Sequence, residues 1–272
     1  MLLPSMAAYL ALMVAMIWLG VGSIMARRWA RALLLIFAWV WLVIGIVTMA
    51  GMIIWLPKFF ANIRDNMPPN QPPMPGGAEI FVIGFMILFL GFFFILLPAV
   101  WVFFYRSPHV KATCEARDPE ARWTDACPLP VLVMPALTLF SLPLMVLIGL
   151  SGNCVMPFFG VFISGITAGA FCIAIGALSV YFSWLIYRLQ PLGWWLALTA
   201  MVLFMISGWL TFARHDLAEM YQLMNFPPEQ IELIQKTGMP DLIRWFMPLS
   251  AAPFVIYLLF IKRYFRKTAA QM

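Results

Sequence analysis

The residues best equipped for covalent or metal chemistry gather in one polar segment, 106–129, which holds His109, Cys114, Glu115, Asp118, Asp125 and Cys127. Imidazole nitrogen, thiolate sulfur and carboxylate oxygen are the ligands zinc takes, and a thiol beside a histidine can become a nucleophile. The spacing supports neither use. Twelve residues separate Cys114 from Cys127, with no second cysteine pair and no His-x3-His to complete a ligand set. His109, Cys114 and Cys127 are thus an incomplete metal set, and no catalytic residue, metal or cofactor is expected. His215 and Glu219, one helical turn apart, form a second two-ligand pair without a third member. Within 106–129, Asp118 is expected to cap a short helix with Pro119 at its first position, and Cys127-Pro128-Leu129-Pro130 to open a long apolar one.

These groups stand out because so little else in the chain is polar. Of 272 residues, 64% are hydrophobic and 10% charged. A soluble domain carries about 45–50% apolar residues and about 25% charged ones, so a water-soluble exterior is excluded, as is disorder. Four cysteines do not make a disulfide scaffold. What remains is an all-α, polytopic transmembrane helix bundle. A crossing needs about 20 apolar residues, and seven such runs are expected at roughly 4–25, 33–56, 80–105, 130–151, 161–187, 194–213 and 246–261.

Basic residues give the expected orientation. Cytoplasmic loops of membrane proteins are enriched in Lys and Arg. Arg27, Arg28 and Arg31 hold the first turn inside and leave the N-terminus outside. On seven spans Arg106, Lys111, Arg117, Arg122, Arg188, Lys262, Arg263, Arg266 and Lys267 join them, leaving Lys58, Arg64, Arg214, Lys236 and Arg244 outside. The net charge of +6 therefore reflects topology and not nucleic-acid binding. The expected partners are the lipid bilayer, whose anionic headgroups such a rim attracts, and a membrane protein partner or a second copy of the chain. A multi-pass protein of a bacterial cytoplasmic membrane is the expected localisation. Trp29, Tyr105, Trp123, Trp184, Tyr187, Trp194 and Trp195 inside, with Trp55, Trp209 and Trp245 outside, read as interfacial anchors.

Asn66-Met67-Pro68-Pro69-Asn70-Gln71 recurs as Asn225-Phe226-Pro227-Pro228-Glu229-Gln230. Each copy follows two spans joined by a tight turn and precedes a span containing a proline, Pro98 or Pro253. The chain accordingly reads as one membrane domain of two three-span repeats. The first covers 1–106, the second with a basic tail covers 153–272, and 107–152 supplies the polar loop and a linker span that lets both insert in the same sense. This 3+1+3 layout, N-terminus outside and C-terminus cytoplasmic, resembles the SWEET sugar transporters in topology. The resemblance implies transport, although no Pro-Gln pair is placed as in that family's PQ-loop relatives. The seven-span count is also that of microbial rhodopsins, but span 7 has no interior lysine for a retinal Schiff base.

No Asp, Glu, Lys, Arg or His lies inside any expected span. Such groups mark proton relays, ion pathways and voltage sensors, so those functions are disfavoured. The polar groups at depth are hydroxyls. Thr138, Ser141 and Ser207, with the backbone carbonyls that Pro135 and Pro143 leave without a donor, are the candidate ligand-binding residues for an uncharged or amphipathic molecule. Ser164, Ala168, Cys172 and Gly176 recur every four residues beside Gly165 and Gly169, giving span 5 a small-residue packing face. Transport or binding of an uncharged or lipid-like molecule where the repeats meet is one expectation. A non-enzymatic accessory or scaffold subunit of a membrane complex is the other, supported by 20 adaptable methionines. An enzyme acting on lipid would have to work from loop residues such as His109 and Cys114.

Overall fold

The computed structural model describes residues 2–65, 77–236 and 252–265. The described chain is predominantly helical. Helix α1 (Leu2–Ile24) turns into α2 (Arg28–Asp65). Helix α3 (Ala78–Gly91) passes through a π-helical turn, Phe92–Leu96, into α4 (Leu97–Arg106). The short α5 (Pro108–Arg117) and a 3-10 turn, Trp123–Asp125, lead to α6 (Leu129–Leu150). Strands β1 (Val155–Phe158) and β2 (Val161–Ser164) precede α7 (Gly165–Tyr187) and α8 (Pro191–Arg214). Helices α9 (Leu217–Leu223), α10 (Pro228–Lys236) and α11 (252–265) follow.

Five helices are long and apolar enough to cross a membrane: Arg28–Ala61, Ile80–Arg106, Leu129–Leu150, Gly165–Tyr187 and Pro191–Arg214. They are the second to sixth expected spans. In place of the first, α1 has a shorter apolar stretch, Leu10–Ile24. Of the seventh expected span, only 252–261 is described. Its first residues, 246–251, and the first repeat copy, 66–71, lie outside the described residues.

The fifth span begins later than expected. Residues 155–164 form an antiparallel hairpin pairing Val155 with Ser164 and Phe158 with Val161. Its two-residue loop puts both Phe159 (φ 43°) and Gly160 (φ 95°) in the left-handed region, the conformation of a type I′ turn whose twist matches the strands it joins. Gly165, also at positive φ, ends the hairpin and lets the helix start.

The core lies at the end of the bundle that carries the basic residues. Leu19 of α1, Leu33, Leu34 and Ile36 of α2, Val131, Leu132 and Ala136 of α6, Ile186 of α7, Trp194 and Ala197 of α8, and Leu258, Ile261 and Phe265 of α11 pack into one cluster. Trp194, expected as an interfacial anchor, is buried instead: its indole N–H donates to the Leu258 carbonyl at 2.7 Å, and Lys262 lies over its ring. A buried indole requires such an acceptor. Tyr257 likewise donates its hydroxyl to the Pro130 carbonyl, 2.6 Å away, binding α11 to the start of α6.

The π turn follows from Pro98. A proline has no N–H for the carbonyl four residues back and its ring crowds that position; here that residue is Phe94. The wider turn relieves the crowding, and the Phe94 carbonyl rests against Gly45 of α2, where a side chain would collide with it.

Candidate functional site

Ser107 and Pro108 open α5, and its end is set by Pro119. The residue before a proline is pushed out of the α region, and Asp118 sits at φ −130°, ψ 77°. Asp118 therefore closes α5; it does not start a helix at Pro119 as its sequence context suggested. Its carboxylate is 2% exposed. The Arg122 guanidinium donates to it from Nη2 at 2.8 Å and Nε at 3.2 Å, and the Arg28 backbone N–H at 3.3 Å. Arg27 approaches within 3.7 Å. The Arg122 hydrogen bond, with Arg28 and Arg27 adding to it against the cost of burial, holds the Asp118 carboxyl below the usual carboxylate range. The Arg122 guanidinium is raised reciprocally by Asp118.

Neighbouring acids complete a latch. Glu115 pairs with Arg28 at 3.4 Å and Lys111 at 3.7 Å, while Asp125 reaches Arg28 at 3.6 Å and accepts the Arg122 N–H at 3.0 Å. The polar segment is thereby fastened over the turn between α1 and α2. Arg31 Nε donates to the Tyr105 carbonyl at 3.1 Å, and the Ser23 and Tyr105 hydroxyls meet at 2.9 Å, tying the end of α4 to the same turn.

Two pockets flank Arg31. A smaller one of about 210 Å3 is lined by cations and acids together, Arg28, Arg31, Lys111, Glu115 and Asp125, with both Cys114 and Cys127. A larger one of about 320 Å3 lies between the ends of α1 and α4 and the first turns of α2 and α5. It receives His109 and again Cys114. The structure thus brings Cys114 near each of the other two metal candidates, but no group of three or more His, Cys, Asp or Glu placed to hold an ion occurs among the described residues. Burial pushes the Cys114 thiol up, an effect Arg31 partly offsets, and it pushes Cys127 up to about 11. Thiols so shifted are poor nucleophiles at neutral pH.

At the other end of the bundle, a polar ladder runs through Ser207, Thr211, His215 and Glu219; sequence reasoning singled out Ser207 and the His215–Glu219 pair but missed Thr211 and the link between them. Each is four residues from the next. Ser207 and Thr211 share a face of α8, His215 is the extended residue that closes that helix, and Glu219 lies in the first turn of α9. Ser207 Oγ donates to the Pro157 carbonyl at 3.1 Å and accepts the Phe159 N–H at 2.9 Å. Thr211 Oγ1 accepts the Gly160 N–H at 3.0 Å and donates to the Ser207 carbonyl at 2.8 Å. His215 Nε2 meets the Gly160 carbonyl at 3.0 Å, and its Nδ1 meets Glu219 at 2.8 Å. The ladder seats the hairpin. The constant spacing was its one visible signal.

The proposed ligand residues do not converge. Thr138 hydrogen-bonds Ser183 of α7, and exposed Ser141 donates back to the Thr138 carbonyl at 3.3 Å. Pro135 and Pro143 both lie inside α6, Pro143 on its exposed side. Ser207 is on α8, under the hairpin. Of the small-residue face, Ala168, Gly169, Cys172 and Gly176 are buried in α7, and Cys172 donates its thiol to the Met145 carbonyl of α6 at 3.5 Å. Ser164 is exposed, and around Gly165 there is open space.

Fold and site together describe a helical chain with five helices able to cross a membrane, an ion-paired cap at one end and a seated hairpin at the other. Compared with models of known protein families, with curated proteins and with solved structures, the chain matches none.

Proposed function

We propose that the chain is a multi-pass protein of seven spans in a 3+1+3 arrangement, N-terminus outside and basic end cytoplasmic. In this reading it binds or carries an uncharged or lipid-like small molecule where two three-span units meet along α6, without covalent chemistry. The observation that carries the reading is the matching way in which the two sets of helices pack. In the first, α1 packs on α2 and α2 on α4; in the second, α7 packs on α8, and α8 on α11 through Trp194 and Leu258. Both first turns close alike: Ala26 (φ 53°) and Leu189 (φ 57°) each stand two residues before the next helix. Each N–H bonds three residues back, with the following N–H bonding five back. Helix α6 touches α1, α2 and α7 and so lies between the sets. It leaves Leu139, Ser141, Pro143 and Leu144 uncovered, a surface with one hydroxyl and a carbonyl that Pro143 cannot serve, suited to an amphipathic molecule arriving from the bilayer.

A second reading, an accessory subunit, is favoured by Ile80–Arg106. None of its most apolar stretch is buried within the chain, and Phe81, Phe85, Phe89, Phe92, Phe93, Phe103 and Phe104 are exposed. Native mass spectrometry on protein released from its own membrane separates the two. A discrete small-molecule adduct, lost when Ser141 is replaced by Trp, is expected for the first; a stoichiometric second protein and no adduct would replace it with the second.

A further inference from the structure

We infer that the larger pocket at the basic end is a binding site for a phosphate group, presented on a lipid headgroup or as a soluble phosphate ester. Arg27 and Arg31, one helical turn apart, both line it, with His109 on α5 and the hydroxyls of Ser23, Tyr105 and Thr113 beside them. No carboxylate occurs among the described residues lining it. The acids of the segment are committed elsewhere: Glu115 to Arg28 and Lys111, Asp118 to Arg122, Asp125 to Arg28, Glu120 to Arg122. Arg27 stands 3.7 Å from an Asp118 oxygen that Arg122 already holds at 2.8 Å. The neighbouring pocket, by contrast, balances its cations with Glu115 and Asp125.

Two guanidinium groups facing a concave site that no carboxylate lines suit an anion, even with Asp118 3.7 Å from Arg27, and guanidinium forks beside hydroxyl donors match the several oxygens of a phosphate. The Tyr105 carbonyl fixes Arg31 through Nε, so its plane is set before a ligand arrives. About 320 Å3 falls at the lower edge of the roughly 300–1,000 Å3 of ligand pockets, enough for a glycerophosphate head. Phe104 contributes an apolar wall and is itself exposed, which would let an acyl chain continue along α4. This inference stands apart from the reading of α6, since it uses none of the residues there.

The full chain is delipidated in detergent and titrated with short-chain phosphatidylglycerol, phosphatidylcholine of the same chain length, and inorganic phosphate, with bound adducts read by native mass spectrometry. Wild type should bind one phosphatidylglycerol at least about tenfold more tightly than phosphatidylcholine, and Arg27→Gln/Arg31→Gln should lose that preference. The control Arg188→Gln/Arg263→Gln removes two exposed cations outside the pocket and should keep it. Should the pocket variant fail to fold, His109→Glu on an exposed side chain serves the same end by repelling the anion. Competition by inorganic phosphate assigns the site to soluble phosphate esters, and its absence assigns it to the lipid headgroup; either upholds a phosphate site. Undiminished preference in the folded pocket variants, or equal loss in the control, overturns it.

Discussion

Gly169 of α7 and Gly149 of α6 meet backbone to backbone: the Gly149 carbonyl fills the space a Cβ on Gly169 would need, and a Cβ on Gly149 would stand 2.9 Å from the Gly169 carbonyl. Gly169→Ala should therefore cost about 1–3 kcal/mol, the usual penalty for overpacking. Gly84→Ala, with nothing within 4 Å, should cost nothing. Thermal unfolding of both variants in one detergent decides the matter, and equal midpoints would show that the two helices do not touch there.

Thr211 is fully buried and accepts the Gly160 N–H. Thr211→Val keeps the shape of the side chain and strands that donor, so a loss of about 1–3 kcal/mol is expected. Thr199→Val, at an exposed position of the same helix, supplies the baseline. A Thr211 variant no less stable than this baseline would mean the hairpin is not seated on α8.

The latch at Asp118 has a definite pH response. Its folded-state value lies below the ordinary 3.8, so its contribution is complete above that pH and is lost as pH falls through the depressed value. Limited trypsin digestion is unsuited to acid, but pepsin is not. Cleavage within 107–128 should stay slow down to about pH 4 and accelerate below it. Asp118→Asn should be cut several-fold faster at neutral pH by trypsin, and an unchanged rate would remove the latch from the account.

With Cys127 pushed from 9.0 up to about 11 by burial, its thiolate fraction at pH 8 is about a hundredfold below that of an unshifted thiol. Cys114 is raised as well. Alkylation by iodoacetamide should be slow in the folded protein and ordinary after denaturation. Fast labelling of Cys127 at pH 8 would mean that the start of α6 is open to water.

Orientation is accessible through new cysteines, since Cys114, Cys127, Cys154 and Cys172 are all buried. Glu120 and Glu229 are exposed at opposite ends of the chain's long helices. An impermeant maleimide on intact cells should label Glu229→Cys and spare Glu120→Cys until the membrane is opened. The reverse pattern would invert the proposed topology.

Long apolar runs were legible in the sequence because twenty consecutive nonpolar residues have few other uses, which is why α2, α6 and α8 appear where expected. The hairpin was not legible, since Val155 to Ser164 is nearly as apolar as the helix behind it, and only the positive φ of Phe159 and Gly160 distinguishes them. Asp118 misled for a related reason. Asp-Pro opens helices when the aspartate is free to cap, but here α5 runs into it and Arg122 claims its oxygens. Among the candidate site residues, those at fixed helical spacing on α7 share a face. Ser207 and Thr138 were grouped only by being hydroxyls, and sequence carries no record of which neighbour a hydroxyl meets across a bundle.

The latch also has an order in time. The Arg28 amide and the Asp118 carboxylate that meets it are 90 residues apart in the chain, so during synthesis Arg27 and Arg28 emerge with no acidic partner yet made. A nascent α1–α2 pair thus carries its positive charge unpaired, and the folded protein conceals part of that charge once the later segment closes over it. In the proposed topology, charge counted on the finished surface accordingly understates what would orient the first two helices.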